Sequence, residues 1–442
     1  MTERKSMKGY YLTTFLIGLG FFTMGLMDPL YDTYVPVFLR KFIESKALIG
    51  TIMTLDNIFA IFLIPIFAAL SDRTRTPIGR RMPYIILFLP LSAIAFGIIP
   101  FASLSSLVLL IIMIFALNVF KQSVRGPVVA LMPDIIPGEI RSEANGVINT
   151  MGGIATIVGT LFLARLMNVT VELPTYGPTD QILAFPFAGV LVIIAVILLF
   201  FFVKEKKGSY SEKATEEKVP ILKSLKLIFG EKDKSAFFVL ISLLFWFIGY
   251  QGVLPFVGLY SEEVLITSPA NKALAAGMVG VSYAIFAIPS GIVAHKLGRR
   301  RTIRGSLIGI TIVLLLIFAH SIFIANPEAI APGTYAPMIF VLISFWLLMF
   351  LFGIFWVSVI TNSFPMLWQM ASYANMGIYT GLYYFFSQLA SIIAPPITGA
   401  LVDLFGYGAL FVFAAVCMLV AFFLMSKVTR GEPKDDAAPV AS

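Results

Sequence analysis

Twelve long apolar stretches, separated by short polar turns, recur between Tyr11 and Ser426. Each is long enough to cross roughly 30 Å of hydrocarbon as a helix rising about 1.5 Å per residue. The predicted spans are Tyr11–Leu39, Leu48–Leu70, Tyr84–Ala102, Leu107–Met132, Asn145–Met167 and Phe185–Val203 in the first half. In the second half they are Ala236–Tyr260, Ala275–Ala294, Ile303–Ile324, Met338–Ile360, Tyr373–Val402 and Ala409–Ser426. Asp28-Pro29 and Pro36 are expected to interrupt the first of them, because proline removes a backbone hydrogen bond.

The polar positions divide the chain. Residues 1–203 form a first six-span unit and 236–426 a second. Residues 204–235 are a Lys- and Glu-rich linker, and 427–442 a polar tail expected to be disordered. Within the linker, Pro220 to Phe229 alternates basic and apolar residues. It reads equally as a solvated connector or as a short amphipathic helix on the membrane surface.

Two basic turns occupy matching places in the two units. One is Ser71-Asp72-Arg73-Thr74-Arg75-Thr76-Pro77-Ile78-Gly79-Arg80-Arg81, the other Gly291 through Arg301 with Gly298, Arg299 and Arg300. Ser142-Glu143-Ala144-Asn145-Gly146 and Ser372-Tyr373-Ala374-Asn375-Met376-Gly377 are a second matching pair, each opening a span rich in small residues. The pattern predicts an all-α polytopic membrane protein of twelve transmembrane helices in two pseudo-symmetric six-helix bundles, with a cavity where they meet.

Charge sets the orientation. With both termini in the cytoplasm, 25 of the 32 Lys and Arg lie on the inner side, 5 on the outer side and 2 within a span. Leaving out the nine of the linker, the bias is still 16 to 5. A multi-pass protein of the cell membrane with cytoplasmic termini follows. The short basic N-terminus, Met1 to Gly9, leads into an apolar run without a small-residue cleavage site, so a retained first helix is expected. The net charge of +8 resides in these turns, which points to the lipid bilayer and away from nucleic acid.

Composition excludes several classes. Only 13% of residues are charged, against about 25% in soluble domains. The single Cys417 allows no disulfide framework, and His295 and His320 are too far apart in sequence to indicate a metal site. No HExxH or Walker-type GxxxxGK[ST] motif occurs, and no nucleophile–base arrangement is visible, so an enzyme is not expected. No cofactor is implied, and a functional monomer is expected.

Five ionisable residues interrupt the apolar spans of the first half: Asp28, Asp32, Asp56, Lys121 and Arg125. Such groups are costly in a membrane unless paired or wetted, and mark proton or cation coupling. Asp28 and Asp32, four apart, share a helix face beside Tyr31; Asn118, Lys121, Gln122 and Arg125 form a polar face of the fourth span. An arginine opposite two adjacent carboxylates would balance their mutual repulsion, which suits a proton site that responds to access. The bland alternative is a static charge-balanced pair joining the first and fourth spans. Lys121 could snorkel or face Asp56, and Asp56 itself suits either a proton, a Na⁺ ion or helix pairing.

The second half supplies aromatics and amides: Trp246, Tyr250, Gln251, Trp346, Trp356, Asn375, Tyr379, Tyr383 and Gln388. Asn375, Tyr379 and Tyr383 fall on one face. Rings can cover the apolar face of a sugar while amides and carboxylates bond its hydroxyls. A small-molecule substrate, with a sugar favoured, is expected to contact Tyr31, Asn118, Gln122, Trp246, Gln251, Asn375, Tyr379 and Gln388. For any single tryptophan, lipid contact or packing explains it as simply.

The basic turns resemble the signature of the major facilitator superfamily. Gly291, Lys296, Gly298, Arg299 and Arg300 fit it, with His295 where the acid is expected. The first copy keeps the acid as Asp72, with Arg73, Gly79, Arg80 and Arg81, Ala68 for the leading glycine and extra residues inside. The resemblance implies the major facilitator fold and a latching role for these turns in one state of the cycle. Leu70-Ser71-Asp72-Arg73 with Gly79 to Tyr84, Arg125-Gly126-Pro127, Leu131 to Pro137 and Arg141 to Gly146 resemble the sucrose and maltose branch related to glycoside-pentoside-hexuronide:cation symporters. That branch links the fourth-span arginine, here Arg125, to proton coupling. Melibiose-type relatives use two acids a turn apart in the second span; this chain has Asp56 but Ala60. The resemblance therefore implies proton-coupled sugar symport, a disaccharide favoured. The alternatives are Na⁺ coupling, a drug or metabolite exporter and, more remotely, a non-transporting membrane sensor or scaffold.

Overall fold

In the computed structural model, residues 9–137, 140–205, 221–230, 232–325, 339–371 and 376–432 are described. Helix α1 (Tyr11–Arg40) is unbroken over 30 residues although Pro29 and Pro36 lie inside it. The expected interruption at Pro29 is absent for a visible reason. The Gly25 carbonyl that Pro29 cannot bond accepts instead from Thr156 Oγ1 at 3.3 Å, a repair by a neighbouring helix.

The second span is broken where none was expected. Helices α2 (Lys46–Met53) and α3 (Leu55–Arg73) meet at Thr54, whose hydroxyl bonds the Thr51 carbonyl at 2.8 Å. The break places Asp56 in the first turn of α3, where the helix dipole favours a carboxylate. Helices α4 (Met82–Ser105) and α5 (Leu107–Ile135) follow. The next span is α6 (Arg141–Ile157), continued by a π turn over Val158–Phe162 and a 3₁₀ turn over Leu163–Asn168. A small hairpin, β1 (Val171–Leu173) with β2 (Gly177–Thr179), precedes α7 (Ala184–Phe202). Its three-residue strands are too short to show a periodicity in sequence.

The amphipathic part of the linker is helical, as α8 (Ile221–Gly230), packed against the helices of the second half. The seventh span is α9 (Ser235–Val253), a 3₁₀ turn at Leu254–Phe256 and α10 (Val257–Glu263). Then come α11 (Leu274–Leu297), led in by a 3₁₀ turn at Pro269–Ala273, and α12 (Arg299–Phe323). Helices α13 (Ile339–Met370), α14 (Met376–Phe405) and α15 (Gly408–Ser426) complete the described chain. Among the described residues, twelve spans are long and apolar enough to cross a membrane. The tail from residue 433, the linker over 206–220 and residues 1–8 lie outside the described residues.

Packing repeats between the halves. In the first, α1 packs on α6 and α7, α4 on α5 and α7, and α3 on α5; in the second, α9 packs on α14 and α15, α12 on α13 and α15, and α11 on α13. Each pair matches its counterpart by position in its unit, which is the pseudo-symmetry expected of two six-helix bundles.

Hydrogen bonds between the halves gather at the end away from the basic turns. Arg40 Nε donates to Glu263 at 2.6 Å, and Lys46 Nζ stands 3.6 Å from the same carboxylate. Asp403 accepts from the Lys46 and Ala47 amides at 2.9 and 3.0 Å and from Ser45 Oγ at 2.9 Å, so the carboxylate of one half caps a helix of the other. Tyr34 Oη donates to the Pro269 carbonyl at 2.8 Å, and the Ala270 amide to Asn168 at 2.8 Å. Gly50 lies against the Pro395 backbone and Gly399 against that of Lys46, with no room for a Cβ at either.

Candidate functional site

Lys121 sits at the midpoint of α5, with a side chain only 4% exposed. Its Nζ donates to Asp28 Oδ1 at 2.9 Å and lies 5.2 Å from the centre of the Tyr31 ring. Tyr31 Oη accepts in turn from Asn118 Nδ2 at 3.0 Å. Asp56 and Asp32 are the other acids in the electrostatic neighbourhood of Lys121. One ammonium therefore stands among three carboxylates contributed by α1 and α3.

The arrangement differs from the sequence expectation in its partner. The cation paired to Asp28 is Lys121, whereas Arg125, one turn on, makes no hydrogen bond or ion pair among the described residues and has Asp56 as its electrostatic neighbour. Lys121 is a turn nearer to the level of Asp28 and Tyr31, and its unbranched stem reaches Asp28 directly. Asp56 accepts from the backbone and side-chain nitrogens of Asn57, both at 2.6 Å. Asp32 makes no hydrogen bond or ion pair among the described residues. Asp28 remains 37% exposed at mid-span, so the cluster is reached by solvent.

Across the halves, Tyr250 is a charged-site neighbour of Asp32. Its ring lies flat on Trp356, with centroids 4.2 Å apart and planes within 6°, and Phe352 extends the stack. Phe247 meets Trp356 edge-on. Gln251 Nε2 donates to Ser391 Oγ at 2.6 Å, tying α9 to α14. Tyr383 and Ser363 share a hydrogen bond at 3.2 Å, and Tyr379 is buried in α14.

Three amide oxygens here are buried with no partner among the described residues: Asn118 Oδ1, Gln122 Oε1 and Gln388 Oε1. Buried acceptors of this kind are rare and mark a place for water or a ligand donor. Trp246 departs from the expected group, because it is fully enclosed in the packing of the second half and offers no exposed ring. Asn375 lies outside the described residues.

The basic turns are organised by acids that the sequence reading left out of the site. Asp134, at the end of α5 and 1% exposed, accepts from Arg80 at 2.5 and 2.9 Å and from Arg81 Nε at 2.9 Å. Arg81 also bonds Asp72 and Ser71 Oγ. Glu205, just past α7, accepts from the Arg81 amide at 2.9 Å and caps α4. In the second half Glu432 repeats this, accepting from the Arg299 and Arg300 amides at 2.7 and 2.9 Å at the start of α12. Gly79 and Gly298 precede these caps with φ of 113° and 90°, a conformation other residues rarely adopt. Arg73 makes no hydrogen bond or ion pair among the described residues. The signal for Glu205 and Glu432 is in the repeat: each follows the sixth span of its unit by a few residues.

Among the described residues no group of His, Cys, Asp and Glu could hold a metal ion. Two bundles of six spans, a charged cluster at mid-span and contacts between the halves at one end define a membrane transporter of the two-bundle class. The family model described as Major Facilitator Superfamily matches residues 11–318 and 264–442, and the chain belongs to that superfamily. It is a transporter and not an enzyme, and proteins of this superfamily bind small-molecule substrates within the membrane. No curated protein matches it.

Among solved structures, the chain is similar to a bacterial homolog of the human lysosomal transporter Spinster in an inward-facing, unoccupied conformation. The TM-score is 0.67 at 14% identity, over 96% of this chain and 95% of that one. It is also similar to the nucleoside transporter NupG, with a TM-score of 0.67 at 12% identity over 94% and 100%. A bacterial homologue of the iron transporter ferroportin, inward-facing, matches with 0.67 at 14% over 95% and 99%. At these identities the likeness is one of fold.

Proposed function

We propose that this protein is a secondary active symporter that moves a sugar or glycoside, a disaccharide favoured, together with a proton by alternating access. The observation that carries the substrate reading is the set of buried, unpartnered amide oxygens on both halves, Asn118 and Gln122 on one and Gln388 on the other. Acceptors without donors suit a ligand rich in hydroxyls. The Tyr250–Trp356 stack supports this reading, as a flat surface for the apolar face of a sugar ring.

The charge balance supports the coupling. Asp28, Asp32 and Asp56 face Lys121 and Arg125, so the mid-span set carries one negative charge in excess when all are ionised. One proton neutralises it. Asp32, without a hydrogen bond or ion pair among the described residues, is the group assigned to take that proton, while Asp28 stays bonded to Lys121. Contacts between the halves at the Arg40–Glu263 end, together with basic turns on the cytoplasmic side of a cell membrane, support an inward-facing form with both termini in the cytoplasm.

Uptake of labelled sucrose and maltose into proteoliposomes, under an imposed pH gradient and separately a Na⁺ gradient, tests this. Accumulation driven by the pH gradient is expected. Accumulation driven by Na⁺ alone would assign the site to that ion, and none with either sugar or gradient would end the disaccharide reading.

A further inference from the structure

The two basic turns are copies, yet their counter-charges differ. In the first, Arg80 and Arg81 are met by Asp72, Asp134 and Glu205. In the second, His295 stands where Asp72 does, and Met366 follows Pro365 as Asp134 follows Pro133. Arg299 accordingly reaches the Pro365 carbonyl, at 3.3 Å, where its counterpart reaches a carboxylate. Arg300 donates to the Ser426 carbonyl at 2.9 Å. Of the three acids, only the equivalent of Glu205 remains, as Glu432, and it is bonded to backbone amides.

The basic side chains have not been lost with the acids. Lys296, Arg300, Arg301 and Arg304, with His295, line an open cleft of about 660 Å³ beside Glu432. Nε of Arg300 and Nε of Arg304 are buried with no hydrogen-bond partner among the described residues, although the Arg304 guanidinium lies over the Phe422 ring at 5.0 Å. The cleft lies at the end of a span that carries an exposed apolar stripe: Ile285, Ile288 and Ile292 of α11 are 55%, 77% and 53% exposed. A charged pocket thus sits at the end of an exposed apolar stripe.

We infer that this cleft binds the headgroup phosphate of an anionic phospholipid, with an acyl chain lying along α11. The lipid phosphate restores the negative charge that Asp72 and Asp134 supply in the first half. Arginine suits this ligand because its planar donors match phosphate oxygens. A position at the basic end of the spans brings the headgroup to the height of the cleft.

The test uses the purified full-length protein in detergent. Its thermal unfolding midpoint is measured with phosphatidylglycerol, phosphatidylcholine and inorganic phosphate, and bound lipid is counted by native mass spectrometry. Phosphatidylglycerol is expected to raise the midpoint and remain bound, and the other two are not. Lys296→Gln and Arg301→Gln alter exposed side chains without disturbing packing, and each is expected to weaken lipid binding roughly fivefold. His295→Asp returns an acid to the cleft and is expected to diminish the lipid-dependent shift. Equal stabilisation by phosphatidylcholine, full stabilisation by inorganic phosphate, or binding unchanged in all three variants would overturn the inference. So would a large gain in lipid affinity on removing residues 433–442, because the tail, with Asp435 and Asp436, would then be the resident of the cleft.

Discussion

Lys121 Nζ and Asp28 Oδ1 stand 2.9 Å apart at mid-span, and the two residues come from different helices, α5 and α1. Removing one partner leaves the other charged in a low-dielectric setting. Lys121→Gln is expected to destabilise the protein by about 3 kcal/mol, near the lower end for a broken buried pair because Asp28 is partly wetted. Asp28→Asn with Lys121→Gln is expected to recover much of that loss. Thermal unfolding of the single and double variants measures the coupling, and additive losses would show that the pair is not a unit.

Asp134 anchors Arg80 and Arg81 with a side chain that is almost wholly buried. Asp134→Asn leaves two guanidinium groups facing an amide, and a loss of about 3 kcal/mol is expected. Gly79→Ala is expected to cost about 1–2 kcal/mol, from a strained φ and from collision with the Glu205 side chain. Glu205→Ala in the same background should relieve the collision but remove the cap of α4. Unfolding midpoints of the three variants check these expectations.

The end of the molecule held by Asp403 is closed by close backbone approach as well as by charge. Gly50→Val or Gly399→Val places side-chain atoms where the opposite half already has backbone. Both are expected to wedge the halves apart at this end while leaving each bundle folded. Spin-label distances between the ends of α2 and α14 should lengthen, and transport should slow by an order of magnitude or more, since a gate that cannot close stalls the cycle. Asp403→Asn, which only weakens the cap of α2, should produce a smaller shift in the same direction.

Tyr250 and Trp356 are stacked within 6° of parallel, so the tyrosine ring is held by its neighbour rather than by its hydroxyl. Tyr250→Phe should therefore change substrate affinity little. Trp356→Ala is expected to raise KM about tenfold by freeing the ring of Tyr250, with a smaller effect on the maximal rate. Initial rates of sugar uptake over a concentration series separate the two parameters.

The spans and their duplication were legible because both rest on local composition: about twenty apolar residues, then a basic turn, twice over. The polar face of α5 was legible too, from the spacing of Asn118, Lys121, Gln122 and Arg125. What local pattern does not carry is which partner a side chain finds. Pro29 reads as a break, and only Thr156, more than a hundred residues away, keeps α1 whole. Thr54 carries no helix-breaking chemistry, yet the second span divides there. Asp403 reads as a span-end acid, and its role as a cap exists only once α2 is packed against α14. The same holds for Glu205 and Glu432, whose partners are backbone amides of a different helix.

In the proposed cycle one proton crosses with each substrate through the acid cluster around Lys121. Proteoliposomes carrying a trapped pH dye, with no gradient imposed, test it when sucrose or maltose is added outside. Acidification of the lumen that follows sugar entry is expected, and it should be lost in Asp32→Asn although that variant still exchanges labelled for unlabelled sugar. Sugar entry without any pH change in the wild-type protein would contradict it.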